Sequence, residues 1–175
     1  MKAHAKAAAG RRRWIRPSRM PNSEYWTKAT LPSTAIHDAS EGMAYLPASP
    51  INFALQIFGD AWSLLVLRDL MFTDRRTYSA FLAAEEGIAT NILAQRLGHL
   101  QAHGLIRKRG AGRGAAYGLT AKGLDLLPAM LQLTAWSARY DRRTAAPPRF
   151  VARIRKEPVA LTSELRERLR REYGL

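Results

Sequence analysis

The chain has 175 residues, 47% of them hydrophobic, and 28 Lys and Arg against 14 Asp and Glu give it a formal net charge of +14; one domain with tails is the expectation at this length. It has no cysteine, which excludes disulfides, Cys-ligated zinc and thiol redox sensing, and no apolar run approaches the ~20 residues needed to span a bilayer. The basic excess points to a polyanion, nucleic acid before an anionic membrane, and without an apolar stretch behind the basic N-terminus the expected location is the cytoplasm.

Residues 1–48 are basic, are punctuated by Pro17, Pro21, Pro32 and Pro47, and hold no sustained apolar period; they are expected to form a disordered arm. Ser49-Pro50 reads as a helix start, a hydroxyl cap followed by proline in the first turn. Ile51, Ala54, Leu55 and Phe58 follow at helical spacing, and Gly59 ends the helix. Asp60 is placed to cap the next, a strongly apolar helix through Trp62, Leu65, Val66 and Leu70. Thr77-Tyr78 is a short extended link. Ser79 is expected to cap a short helix through Phe81 and Leu82, broken at Glu86-Gly87. A longer helix is predicted from about Thr90 to His103, with Leu93, Leu97 and Leu100 on its core side and Gly104 closing it.

Two strands, 105–109 and 115–119, are predicted around the glycine-rich tip Gly110–Gly114. Residues 104–119 carry four cations and no acidic residue. Thr120 caps a long helix running to Tyr140, and Pro128 within it is expected to kink or split it. This helix has two apolar stripes, Leu124, Leu127, Leu131, Thr134 and Leu126, Met130, Leu133, Tyr140. One stripe suffices for an internal core, so the second suggests a partner subunit. Residues 142–158 read as a basic linker and 161–173 as an amphipathic helix. The expected organisation is thus an arm (1–48), a central domain (49–141) and a basic C-terminal segment (142–175).

Short helix, turn, longer helix and basic hairpin is the order of a winged helix-turn-helix. The fold class expected is mainly α with a small β-hairpin and an added dimerisation helix. The run Ala54-Leu55-Gln56-Ile57-Phe58-Gly59-Asp60-Ala61-Trp62-Ser63-Leu64-Leu65-Val66-Leu67-Arg68-Asp69-Leu70 resembles the HxlR family of bacterial winged-helix regulators. So do Gly87-Ile88-Ala89-Thr90-Asn91-Ile92-Leu93-Ala94-Gln95-Arg96-Leu97 and Tyr117-Gly118-Leu119-Thr120-Ala121-Lys122-Gly123-Leu124. The resemblance spans residues 49–137 in register and implies a homodimeric regulator of promoters. Two positions depart from the family pattern. Ser49 stands where members often have a cysteine, and Ala89 where a serine usually opens the recognition helix, which leaves capping to Thr90.

On the helix 90–103, Asn91, Gln95, Gly98 and Ala102 point away from the leucines, with His99 beside them. Asn and Gln can pair bidentately with adenine, so Asn91 and Gln95, joined by His99, are the candidate base readers. Thr90, Arg96, Arg107, Lys108, Arg109 and Arg113 are the candidate contacts to the DNA backbone; Arg96 has the alternative of pairing with Glu85 or Glu86. Leu127, Met130, Leu131 and Thr134 are the candidate dimer contacts. The spacing of Gly110, Gly112 and Gly114 matches neither a Walker loop nor a dinucleotide fingerprint. His99 and His103 lack a carboxylate to complete a metal site. No catalytic constellation stands out, and no cofactor is expected; any effector ligand is left open. The expected partners are double-stranded DNA and a second copy of the chain. A basic RNA- or ribosome-associated protein that docks through the winged helix, and a protein-interaction scaffold, stay open as alternatives.

Overall fold

The computed structural model describes residues 49–175, and the expectation of a disordered arm over 1–48 lies outside them. Helix α1 (Pro50–Phe58) starts as the sequence suggests. The Ser49 hydroxyl accepts from the Asn52 N–H at 3.3 Å, Pro50 stands in the first turn, and Gly59 closes the helix. Its apolar side chains divide, because Ile57 is buried while Ile51, Phe53 and Leu55 are exposed. At α2 (Ser63–Phe72) the cap position falls on Trp62 rather than Asp60, but the Asp60 carboxylate two residues earlier accepts from the N–H groups of Trp62 at 2.8 Å and Ser63 at 2.9 Å and so serves the start of the helix. Val66, Leu67, Leu70 and Met71 put α2 in the middle of the core.

The cap of α3 (Tyr78–Leu82) is Thr77 rather than Ser79. Thr77 has the extended backbone a cap requires, and its hydroxyl accepts from the Ala80 N–H at 3.2 Å. At α4 (Thr90–Ala102) the cap position falls on Ala89, which has no oxygen to offer; Thr90 is already helical and does not cap. A contact from outside the helix holds this end instead, the Tyr78 hydroxyl donating to the Thr90 carbonyl at 2.7 Å.

Gly104, at φ +68°, supplies the left-handed residue that turns the chain out of α4. The hairpin β1 (Ile106–Arg109) and β2 (Ala116–Leu119) is antiparallel, Ile106 facing Leu119 and Arg109 facing Ala116. Thr77 adds a single bridge to Ala116, so the extended link before α3 forms a third, minimal edge of this sheet.

Thr120 caps α5 (Ala121–Leu124), its hydroxyl accepting from the Gly123 N–H, and α6 (Leu127–Tyr140) follows with Pro128 in its first turn. The helix expected from Thr120 to Tyr140 is therefore split. Pro128 has no N–H to donate, and in a continuous helix its ring would clash with the carbonyl four residues back, that of Leu124. Gly123 is fixed by contact, since a Cβ there would fall 2.0 Å from the Leu105 carbonyl oxygen.

The C-terminal segment departs most from expectation. A helix, α7 (Pro148–Lys156), occupies the expected linker, and α8 (Pro158–Tyr173) follows at once. Both carry a proline in the first turn, where proline starts a helix rather than breaking one. Val151 and Ile154 of α7, with Leu161, Leu165, Leu169 and Tyr173 of α8, are buried. The α8 set recurs every fourth residue, a single stripe facing inward. At about 1.5–3 kcal/mol per fully buried leucine, that stripe binds α8 firmly to the rest of the chain. Together α7 and α8 pack against α6, and residues Ser49–Leu175 make one compact unit.

Candidate nucleic-acid interface

Helix α4 presents two different faces. Leu93, Leu97 and Leu100 are buried, whereas Thr90, Asn91, Ala94, Gln95, Gly98 and Ala102 are exposed. Asn91 and Gln95 are neighbours one turn apart on that outer face, and no side-chain hydrogen bond to another described residue engages either. Their amide groups are free to meet an outside acceptor or donor.

His99 is differently placed. Its Nε2 lies 3.0 Å from the Ile57 carbonyl of α1, and its ring packs on that of His103 with 4.3 Å between centroids. It ties α4 to α1 and is withdrawn from the outer face of α4. Arg96 is also engaged within the chain, with its guanidinium 3.2 Å from an Asp60 carboxylate oxygen and both side chains largely covered. Burial pushes the Asp60 carboxyl up. The Ser63 hydroxyl, the N–H groups of Trp62 and Ser63, and Arg96 outweigh that, and it sits below the usual carboxylate range. Glu86, expected as a possible partner of Arg96, pairs with Arg68 instead. That hydrogen bond, more than any other cause, holds the Glu86 carboxyl below its ordinary value.

The hairpin also sorts its cations. Arg107 and Arg109 both donate to the backbone carbonyl of Tyr173, Arg109 at 3.0 Å. Arg107 is half-buried, and its Nε is buried without a hydrogen-bond partner. These two guanidiniums close the C-terminal end of α8, where the helix dipole favours positive charge. Lys108, on the opposite strand face, is exposed, its ammonium 6.0 Å from the centre of the Tyr117 ring. Arg113 belongs to the turn Gly112–Gly114 at the hairpin tip.

Tyr173 itself was not legible as a functional position. Its hydroxyl donates to the Leu70 carbonyl at 2.6 Å, its ring lies under the Arg76 guanidinium, and burial raises its pKa far above the ordinary tyrosine value. A Cβ at Gly118 would stand 2.8 Å from the Tyr173 ring, so the bare backbone of β2 is what admits it. The C-terminal helix thus braces the hairpin from behind.

The four residues expected at a dimer interface lie mostly inside this chain. Leu127, Met130 and Leu131 are buried, and the Thr134 hydroxyl donates back to the Met130 carbonyl. The covering elements are α7 and α8, which the sequence had suggested as linker and separate helix. What α6 leaves uncovered is Leu133 (47% exposed), Trp136 (63%) and Tyr140 (65%). Among the described residues no single helix is long and apolar enough to cross a membrane.

Comparison with known proteins places this arrangement. The profile of the HxlR-like helix-turn-helix family matches residues 57–145, half of the chain. An uncharacterized HTH-type transcriptional regulator of Synechocystis is 33% identical over 87 residues, 48% of this chain and 64% of that protein. Another, from Mycobacterium tuberculosis, is 35% identical over 101 residues, 56% of this chain and 63% of that protein. The chain therefore spans a little under two thirds of these curated relatives. The crystal structure of PA1607, described as a candidate transcription factor, superposes with a TM-score of 0.50 at 32% identity, covering 58% of this chain and 70% of that one.

Proposed function

The chain belongs to the HxlR-like helix-turn-helix family, and from that premise we propose that it is a transcriptional regulator of the cytoplasm that binds promoter DNA as a homodimer. The outer face of α4 carries this reading. Asn91 and Gln95 stand exposed and, among the described residues, unengaged beside a cationic hairpin, and Gly98 and Ala102 on the same face add no bulk. Such a face fits a major groove. Asn91 and Gln95 read base edges, the exposed Thr90 sits at the helix end that favours phosphate, and Lys108 and Arg113 neutralise the flanking backbone.

The second subunit is supported by the apolar surface left over. Leu133, Trp136 and Tyr140 of α6 are exposed, and so are Ile51, Phe53 and Leu55 of α1. Uncovered aromatic surface of this kind marks an interaction site. A two-fold pair would set its recognition helices about 34–36 Å apart, one per half-site. The test is anisotropy titration of duplexes from the gene's own upstream region against scrambled duplexes, at several salt concentrations, with sedimentation in parallel. The expected result is a sequence preference that is lost when Trp136→Glu makes the protein a folded monomer. Equal affinity for all duplexes would refute base reading, and a Trp136→Glu dimer would refute the assigned surface.

A further inference from the structure

A cavity of about 620 Å³ opens between the winged core and the α7–α8 pair, well within the size range of small-molecule sites. One wall is α2 and its exit (Phe72, Thr73, Arg75), and the other is Phe150 of α7 with Leu161 and Leu165 of α8. Phe72 and Phe150 meet edge to face with 5.6 Å between centroids, an aromatic wall against which a planar apolar body can pack. Half of the lining comes from residues beyond the matched family region.

The charged groups on this lining are not equally engaged. Arg153 is held by Glu164 at 2.7 Å, and Arg68 by Asp69 at 2.7 Å and by Glu86. Arg75 has only a 3.4 Å approach to Asp69, whose carboxylate already takes two hydrogen bonds from Arg68. Arg168 gives one N–H to the Met71 carbonyl at 2.8 Å. Both therefore keep guanidinium donors unfilled among the described residues, in the planar fork that suits a carboxylate. Glu85 is the lining carboxylate without an ion pair among those residues; it is exposed, and solvent screens its repulsion of an anion.

We propose that this cavity is an effector site for a small organic anion, a carboxylate on an apolar body about the size of an aromatic ring, and that its occupancy reaches the wing through α8. Leu161, Leu165 and Arg168 line the cavity from α8, and the last turn of the same helix presents the Tyr173 carbonyl to Arg107 and Arg109. A ligand that shifts α8 by a fraction of an ångström changes the seat of both arginines. Binding stands on the cavity alone; only its regulatory meaning rests on the reading of the chain as a DNA-binding regulator.

The test uses the full chain without DNA. Benzoate, phenylacetate and hexanoate are titrated against benzamide and benzylamine, with thermal shift and NMR chemical shifts as readouts and amide hydrogen exchange of 106–109 and 116–119 as the wing signal. The carboxylates should bind with Kd on the order of millimolar or tighter, as ligands of so few atoms do. The amide and the amine should be weaker by about tenfold, the usual value of one charge-assisted pair. Arg75→Gln should weaken the carboxylates alone. Ala146 also lines the cavity, and the larger ring of Ala146→Phe should fill it and weaken every probe; circular dichroism verifies that both variants fold. No binding by wild type, or binding untouched by either substitution, overturns the site. Preference for benzylamine overturns the anion, and binding with unchanged exchange in the hairpin overturns the link to the wing. Failure of DNA binding in the ligand-free protein would refute the proposed function and leave these outcomes standing.

Discussion

On α4, the outward amides Asn91 and Gln95 are neutral and meet no hydrogen-bonding side-chain partner among the described residues, whereas in the neighbouring hairpin two of the four cations are committed to the protein's own C-terminal helix. Strand alternation explains the split. Arg107 and Arg109 are two residues apart and share a face, which meets the end of α8, while Lys108 points the other way. Local charge density is therefore a poor count of phosphate contacts. A cation on a strand faces either an outside anion or an inside carbonyl, and the element packed behind the strand decides which.

The comparison breaks most visibly at the brace. Leu169 is fully buried on α8, and Leu169→Ala should cost about 2–5 kcal/mol in urea unfolding, as for other buried leucines. A loss below about 1 kcal/mol would mean that α8 rests loosely and that the arginines are not firmly engaged. Next in size is the outer face of α4, proposed to read bases. Gln95→Ala should remove about 1–3 kcal/mol of discrimination at one base pair per half-site and leave random-DNA affinity nearly intact; equal weakening of both would make Gln95 a backbone contact.

The wing supplies a sharper contrast. Lys108→Ala should reduce the slope of log K against log salt by about 0.9 for the lost phosphate contact and leave stability unchanged. Arg107→Ala should do the reverse, keeping the slope and lowering unfolding free energy by about 1–3 kcal/mol as the Tyr173 carbonyl loses a charged donor. Identical behaviour of the two variants would erase the distinction between the strand faces.

The smallest effect concerns Asp60, which joins α2 to α4 through Arg96. Its carboxyl is depressed in the folded chain, so its contribution is complete above the unfolded value near 3.8 and is lost as pH falls through the folded one. The stability gap between wild type and Asp60→Asn should stay flat at neutral pH and narrow only below about pH 4. A gap that narrows near neutrality would implicate a histidine instead.

Much of the winged core was readable because its signals are local. Ser49-Pro50, Gly104, Thr120 and Pro128 each act within a few residues, and the leucines of α4 declare their face by spacing. The cap of α3 was misplaced by two residues because Thr77 and Ser79 offer the same hydroxyl, and only the backbone angles distinguish them. The C-terminal pair was hidden by its prolines. Pro147, Pro148 and Pro158 lie in the stretch 142–158 that reads as a linker, although two of them begin helices, and Val151 and Ile154 are a short apolar signal among arginines. The fates of His99, Arg107 and Arg109 had no local signature. Each depends on a carbonyl more than forty positions away in the chain.

The cover over α6 is also the last part of the domain to be made. Thirty-three residues separate Tyr140 from Tyr173, about 2–7 s of synthesis at ordinary elongation rates. Leu127, Met130 and Leu131 are therefore made before the leucines of α8 that shield them. A newly made chain whose α8 has not yet docked shows its neighbours an oily strip that the folded chain conceals. Whatever slows the docking of α8 lengthens that exposure and favours clumping of newly made chains, without altering any residue of the protein.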